Sequence, residues 1–186
     1  MNRGKLILVT GGARSGKSTF AERYASESGK QVVFLATAEA KDAEMRLRVE
    51  KHRLQRPRDF RTVEDPLHPE RVIAGGSADN FFLIDCLTLL LNNHLLRVLE
   101  GEENPSPQKQ AEVSATLLDY MNSLSEHLLN SPSDVLVVTN EVGAGIVPEH
   151  LLGRLFRDLA GKSNQIVAAR ADEVWFTICG IARRFK

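Results

Sequence analysis

Gly11, Gly16, Lys17 and Ser18 stand at the spacing G-x-x-x-x-G-K-[S/T] within the segment Gly11-Gly12-Ala13-Arg14-Ser15-Gly16-Lys17-Ser18. This is the pattern of a loop that cradles phosphates. Glycines let the backbone curl so that its amides point inward, and a helix beginning there adds partial positive charge where an anion would sit. Lys17 is placed to reach β- and γ-phosphates, and Ser18 offers a hydroxyl to a bridging Mg2+, which marks the ligand as a nucleoside triphosphate with its metal. The bland alternative is an ordinary glycine turn. The apolar run Leu6-Ile7-Leu8-Val9 before the loop and the helical pattern after it supply the strand and helix that the phosphate-binding reading requires.

Such loops work with a carboxylate at the end of a neighbouring strand, where it helps to hold the magnesium shell. Asp85 follows Phe81-Phe82-Leu83-Ile84 in that manner, the alternative being a cap on the helix that starts at Leu87. Glu141 is a second candidate, just beyond Val137-Val138-Thr139, at the carboxyl ends of strands where open α/β sheets bind ligands. Its alternative is a loop carboxylate paired with an arginine. The helical segment Asp42–Arg53 places Met45, Val49 and His52 on one stripe, so His52 continues an inward face amid Arg48, Lys51, Arg53 and Arg56. From spacing alone, a structural histidine and a catalytic one both remain open.

Short, near-continuously apolar runs at Lys5–Thr10, Gln31–Ala36, Phe81–Asp85, Asp134–Thr139 and Glu173–Ile178 predict strands buried on both faces. Helical patterns at about Ser18–Ser28, Asp42–Leu54, Leu87–Leu99, Gln108–Leu129 and Glu149–Ala169 alternate with them. The fold class expected is α/β, a doubly wound, mostly parallel sheet with helices on both faces. With 186 residues, 42% of them hydrophobic, residues 1–186 suit one domain with a sizeable core. The polar Gly101–Gln108 segment reads as a loop within it.

Acidic and basic residues balance at 24 each, so no net field draws the chain to nucleic acid or to an anionic membrane. The leucine-rich Cys86–Leu99 stretch is broken by Asn92, Asn93, His94 and Arg97 and is too short to span a bilayer; it reads as a buried or interfacial helix. No signal sequence is visible, and the two cysteines, Cys86 and Cys179, form no C-x-x-C pair, so a cytoplasmic chain is expected.

Four segments in order closely resemble one family: Thr10–Ser18, Ala36-Thr37, the Glu44-Met45…His52…Arg56-Pro57 block and Thr139-Asn-Glu-Val-Gly-Ala-Gly-Ile-Val-Pro148. The similarity continues through Phe156–Gly161 and Ala171–Trp175 to Gly180-Ile181. The family is that of bifunctional adenosylcobinamide kinase/adenosylcobinamide-phosphate guanylyltransferases of cobalamin biosynthesis, P-loop proteins by fold. The resemblance implies that ATP or GTP phosphorylates the aminopropanol hydroxyl of adenosylcobinamide, and that GMP then passes from GTP to adenosylcobinamide phosphate with loss of pyrophosphate. It implies His52 as the residue that carries GMP covalently. Relatives often have two adjacent histidines there, whereas Lys51 precedes His52 in this chain. It further implies that the guanine nucleotide lies against Gly11–Ser18, Ala36-Thr37-Ala38, Arg53-Leu54-Gln55-Arg56, Glu64 and Asp85, and that the assembly is a homotrimer. A carboxylate such as Glu64 has the acceptors to read guanine N1 and its exocyclic amine.

Two other readings compete. A monofunctional small-molecule kinase would use the same cradle and leave His52 inert. A guanine-nucleotide switch would need D-x-x-G and N-K-x-D signatures; Asp158-Leu159-Ala160-Gly161 matches the first only nominally, and the second does not occur.

Overall fold

The computed structural model describes residues 3–39, 47 and 56–186. Its strands are β1 (Leu6–Gly11), β2 (Gln31–Ala36), β3 (Arg61–Glu64), β4 (Asn80–Asp85), β5 (Asp134–Val138), β6 (Glu173–Ile178) and β7 (Ile181–Arg184). They form one sheet in the order β3-β2-β4-β5-β1-β6-β7. Every pairing is parallel except β6 with β7. The helices are α1 (Lys17–Glu27), α2 (Pro69–Ile73), α3 (Leu87–Leu99), α4 (Pro107–Leu129) and α5 (Leu151–Arg170), with a 3-10 turn at Val142–Ala144.

The period of two along each strand sorts its side chains between two cores. Leu6, Leu8, Val33, Leu35, Phe82, Ile84, Val135 and Val137 face α3, α4 and α5. Ile7, Val9, Val32, Phe34, Phe81, Leu83, Leu136 and Val138 share the other face with Ala21 and Ala25 of α1. Covering both faces is why the central strands read as unbroken apolar runs. Each fully buried aliphatic side chain contributes about 2 kcal/mol, so these paired cores hold the strand ends in fixed register.

The leucine-rich helix α3 is mainly a core element. Leu87, Leu90, Leu91, Leu95 and Leu99 are buried, and only Leu96 among its large apolar side chains is markedly exposed. Helix α4 starts at Pro107, one residue before the expected Gln108: Pro107 takes the first turn and the Ser106 side chain accepts from the Lys109 amide. Strands β3 and β7, and the short helix α2, were not expected. Both are four-residue edge strands, Arg-Thr-Val-Glu and Ile-Ala-Arg-Arg, and they lack the apolar run that marks central strands.

Candidate active site: a phosphate cradle at the strand ends

Strand β1 delivers the chain to the carboxyl edge of the sheet, where residues 11–16 wrap back into α1. A side chain at Gly11 would collide with the Thr177 carbonyl on β6, so only glycine lets β1 run this close to its neighbour. Gly16, the N-cap of α1, takes a left-handed conformation with φ 98°. The loop rests on the β6–β7 hairpin: the Gly180 amide donates to the Ser15 carbonyl (2.9 Å), and the Ser15 and Thr177 hydroxyls lie 2.7 Å apart.

Lys17 is buried, and its ammonium donates to the Gly12 carbonyl at 2.6 Å. Burial pushes its pKa down, partly offset by Cys86 and Asp85. Ser18 donates to Oδ2 of Asp85 at 3.4 Å, so the hydroxyl and carboxylate singled out for magnesium are neighbours. The N-cap of α3 is Cys86, one residue past Asp85, and it makes no side-chain cap bond. Burial and the nearby Asp85 push the Cys86 thiol up to about 11, which makes it a packed side chain with little thiolate at neutral pH.

Register sets the next tier. Ala36 pairs with Glu64 on one side and Asp85 on the other, so Glu64, Ala36 and Asp85 form one row across the ends of β3, β2 and β4. Thr37 lies just beyond that row and is fully buried. Its hydroxyl donates to the Cys86 carbonyl (2.9 Å) and accepts from the Cys86 amide (2.7 Å), while its own amide donates to the Asp85 carbonyl (3.1 Å). Thr37 therefore braces the Asp85 corner, and Ala38, half-buried, follows it. Asn93 of α3 donates to the carbonyls of Thr37 (2.8 Å) and Pro66 (2.9 Å), tying the β2 turn to the segment after Glu64. The sequence showed Asn93 only as a polar interruption among leucines; its burial could not be read there.

Arg56 donates to the Thr62 hydroxyl at 2.6 Å, and its guanidinium carbon lies 3.4 Å from the centroid of the Phe34 ring. His52, Arg53, Leu54 and Gln55, with the helical pattern that carries them, lie outside the described residues.

Glu141 sits beside the cradle. Its amide donates to the Gly11 carbonyl (3.0 Å), and its Oε1 accepts from the Thr10 hydroxyl (2.7 Å) and the Asn164 amide (3.2 Å). Its partners are thus Thr10 and Asn164, where an arginine had been the alternative. Further along the same segment, Ile146 is 95% and Val147 62% exposed. Among the described residues no cluster of three His, Cys, Asp or Glu could hold a metal ion by itself. No described helix is long and apolar enough to cross a membrane.

Comparisons with known proteins agree with this geometry. The subunit NeqB of an ATP synthase from Nanoarcheaum equitans superposes with a TM-score of 0.51 at 13% identity, covering 94% of this chain and 45% of that one, a likeness of fold alone. A family model described as cobinamide kinase / cobinamide phosphate guanyltransferase matches residues 7–185. The bifunctional adenosylcobalamin biosynthesis protein CobU of Salmonella typhimurium is 42% identical over 97% of this chain and 99% of its own length. The Escherichia coli protein of the same name has the same identity over the same shares. The corresponding CobP of Pseudomonas aeruginosa is 39% identical over 96% of each. The cradle, its carboxylate row and these near-full-length matches place the chain in the cobinamide kinase / cobinamide phosphate guanyltransferase family.

Proposed function

We propose that residues 1–186 form one catalytic domain that phosphorylates adenosylcobinamide with ATP or GTP, then transfers GMP from GTP onto the resulting phosphate. The observation that carries this is the cradle itself: Lys17 beneath the loop, with Ser18 and Asp85 in hydrogen-bond contact at its mouth. Ser18 and Asp85 are the residues that would hold Mg2+. When bound, that ion neutralises charge on the phosphate oxygens. Gly11–Ser18, Ala36–Ala38, Arg53–Arg56 and Glu64 are the nucleotide wall in this reading, Thr37 contributing through the corner it braces. The same reading makes the chain a cytoplasmic homotrimer, although Leu96 is the one large apolar side chain that α3 leaves markedly exposed.

His52 is the nucleophile of the second reaction. A neutral imidazole has a free lone pair near pH 7 and attacks the α-phosphorus of GTP; the bond to the bridging oxygen breaks and pyrophosphate leaves. The phosphate of adenosylcobinamide phosphate then takes GMP from the histidine, giving adenosylcobinamide-GDP. Incubation with α-32P-GTP and magnesium tests this directly. Wild type should acquire an acid-labile, alkali-stable phosphoramidate. His52→Ala should lose the label and the guanylyl transfer while retaining phosphorylation of adenosylcobinamide. Label that persists in His52→Ala, or maps elsewhere, would overturn His52 as the nucleophile, and a wild type that takes no label would favour the monofunctional kinase reading.

A further inference from the structure

The two proposed reactions differ in their demand for a proton acceptor. The kinase acceptor is an alcohol, which must shed its proton as it becomes a phosphate ester. The guanylyl acceptor is a phosphate already ionised at neutral pH, and the histidine nucleophile begins with a free lone pair. One group near the cradle is therefore needed by the first reaction alone.

We infer that Glu141 is that group, the general base of the kinase step; the inference rests on the kinase reading above. Three features carry it. First, strand β5, which leads into Glu141, lies between β1 with the phosphate loop and β4 with Asp85, so the residue emerges between the two halves of the cradle. Its amide is bonded to Gly11, the first residue of the loop. Second, its carboxylate is oriented from one side only. Thr10 and Asn164 both donate to Oε1, and Asn164 is itself fixed by the Thr139 hydroxyl at 2.7 Å, leaving Oε2 without a hydrogen-bond partner among the described residues. A carboxylate so held keeps one oxygen able to accept a proton. Third, the other carboxylates at these strand ends are placed for other work: Asp85 stands with Ser18 for Mg2+ in this reading, and Asp65 follows the edge strand β3, separated by β2, β4 and β5 from β1 and its phosphate loop.

The step balances without a co-reactant. The aminopropanol oxygen attacks the γ-phosphorus, the bond from that phosphorus to the β,γ-bridging oxygen breaks, the nucleoside diphosphate departs, and the hydroxyl proton passes to Oε2 of Glu141. Solvent then takes that proton.

Glu141→Gln retains an oxygen for Thr10 and Asn164 but cannot accept a proton. With adenosylcobinamide and ATP as substrates, its kcat should fall about 100-fold or more, with little change in KM for ATP. With GTP and prepared adenosylcobinamide phosphate, guanylyl transfer should fall by less than about 5-fold, because that reaction asks nothing of a base. Glu141→Asp, with a shorter carboxylate, should show the same selective loss in milder form, and it serves if the glutamine variant fails to fold. Phosphorylation within a few-fold of wild type in either folded variant, or an equal loss of both reactions, overturns the inference. The wild-type arm tests the underlying reading separately: a wild type that does not phosphorylate adenosylcobinamide removes the kinase, whereas an active wild type with an equally active glutamine variant removes only the base.

Discussion

Replacing Lys17 with methionine separates what the lysine does for the fold from what it does for the ligand. The side chain is 7% exposed, and burial lowers its pKa below the ordinary lysine value. A folded-state value lower than the unfolded one means that the protonated amine opposes folding. That opposition is complete below the depressed value and fades as pH rises through the unfolded one. Methionine fills the same channel without charge, and the Gly12 carbonyl it releases belongs to an exposed residue that water can reach. At neutral pH the unliganded variant should therefore melt at or above wild type. The ligand tells the opposite story. A charge-assisted bond to phosphate is worth about 2 kcal/mol, so Kd for the nucleotide should rise about 30-fold. With nucleotide and magnesium at about 100 times the wild-type Kd, stabilisation by ligand should drop from about 2.7 to about 0.9 kcal/mol. For a domain of this size, the melting shift should shrink from about 8 °C to about 3 °C. Both reactions should slow severely, since both bring a triphosphate to this loop. Thermal melts with and without a non-hydrolysable GTP analogue read both halves. An undiminished ligand shift, or an unliganded variant that melts well below wild type, would refute the reasoning.

Asn93→Leu strands two carbonyls at Thr37 and Pro66 in a buried setting and should cost about 2–4 kcal/mol in urea unfolding; KM for the nucleotide should rise with it, as the β2 turn loses its tie to the Glu64 segment. Asp172 is held at about 2 by the Arg3 guanidinium beside it, against burial that pulls the other way, with the Leu6 amide as a further donor. Its folded value is depressed, so its contribution is present above pH ~4 and is lost as pH falls through ~2. With side chains 44% and 31% exposed, the Arg3–Asp172 pair contributes about 1 kcal/mol, and Asp172→Asn should flatten the acid limb of a stability profile by that amount.

Much of the site was legible because it obeys local rules. The phosphate loop carries its own signature, and Asp85 ends a strand whose burial on both faces leaves a continuous apolar run. What stayed hidden depends on neighbours distant in sequence. Strand β3, Arg-Thr-Val-Glu, is an edge and needs no apolar run, so nothing in it announced that Glu64 would stand level with Ala36 and Asp85. Thr37 was expected among nucleotide contacts, yet its hydroxyl is spent on the Cys86 backbone. Asn93 and Asn164 lie on helices whose apolar spacing gives no hint that a buried amide is bridging strand ends. The start of α5 at Leu151, two residues after the expected Glu149, reflects a helix whose N-cap, His150, provides no side-chain bond to mark it.

The prop beneath the phosphate loop also has a consequence in time. Ser15 and Thr177 touch across 162 positions of sequence, and Gly180 lies further on still. At roughly 5–20 residues per second of synthesis, about ten to thirty seconds separate the translation of the loop from that of its support. During that interval the glycines are made but have nothing to lean on, and β1 lacks the β6 partner beside it. A nucleotide that arrived before the hairpin emerged would meet a loop that has its glycines but neither the Thr177 nor the Gly180 contact.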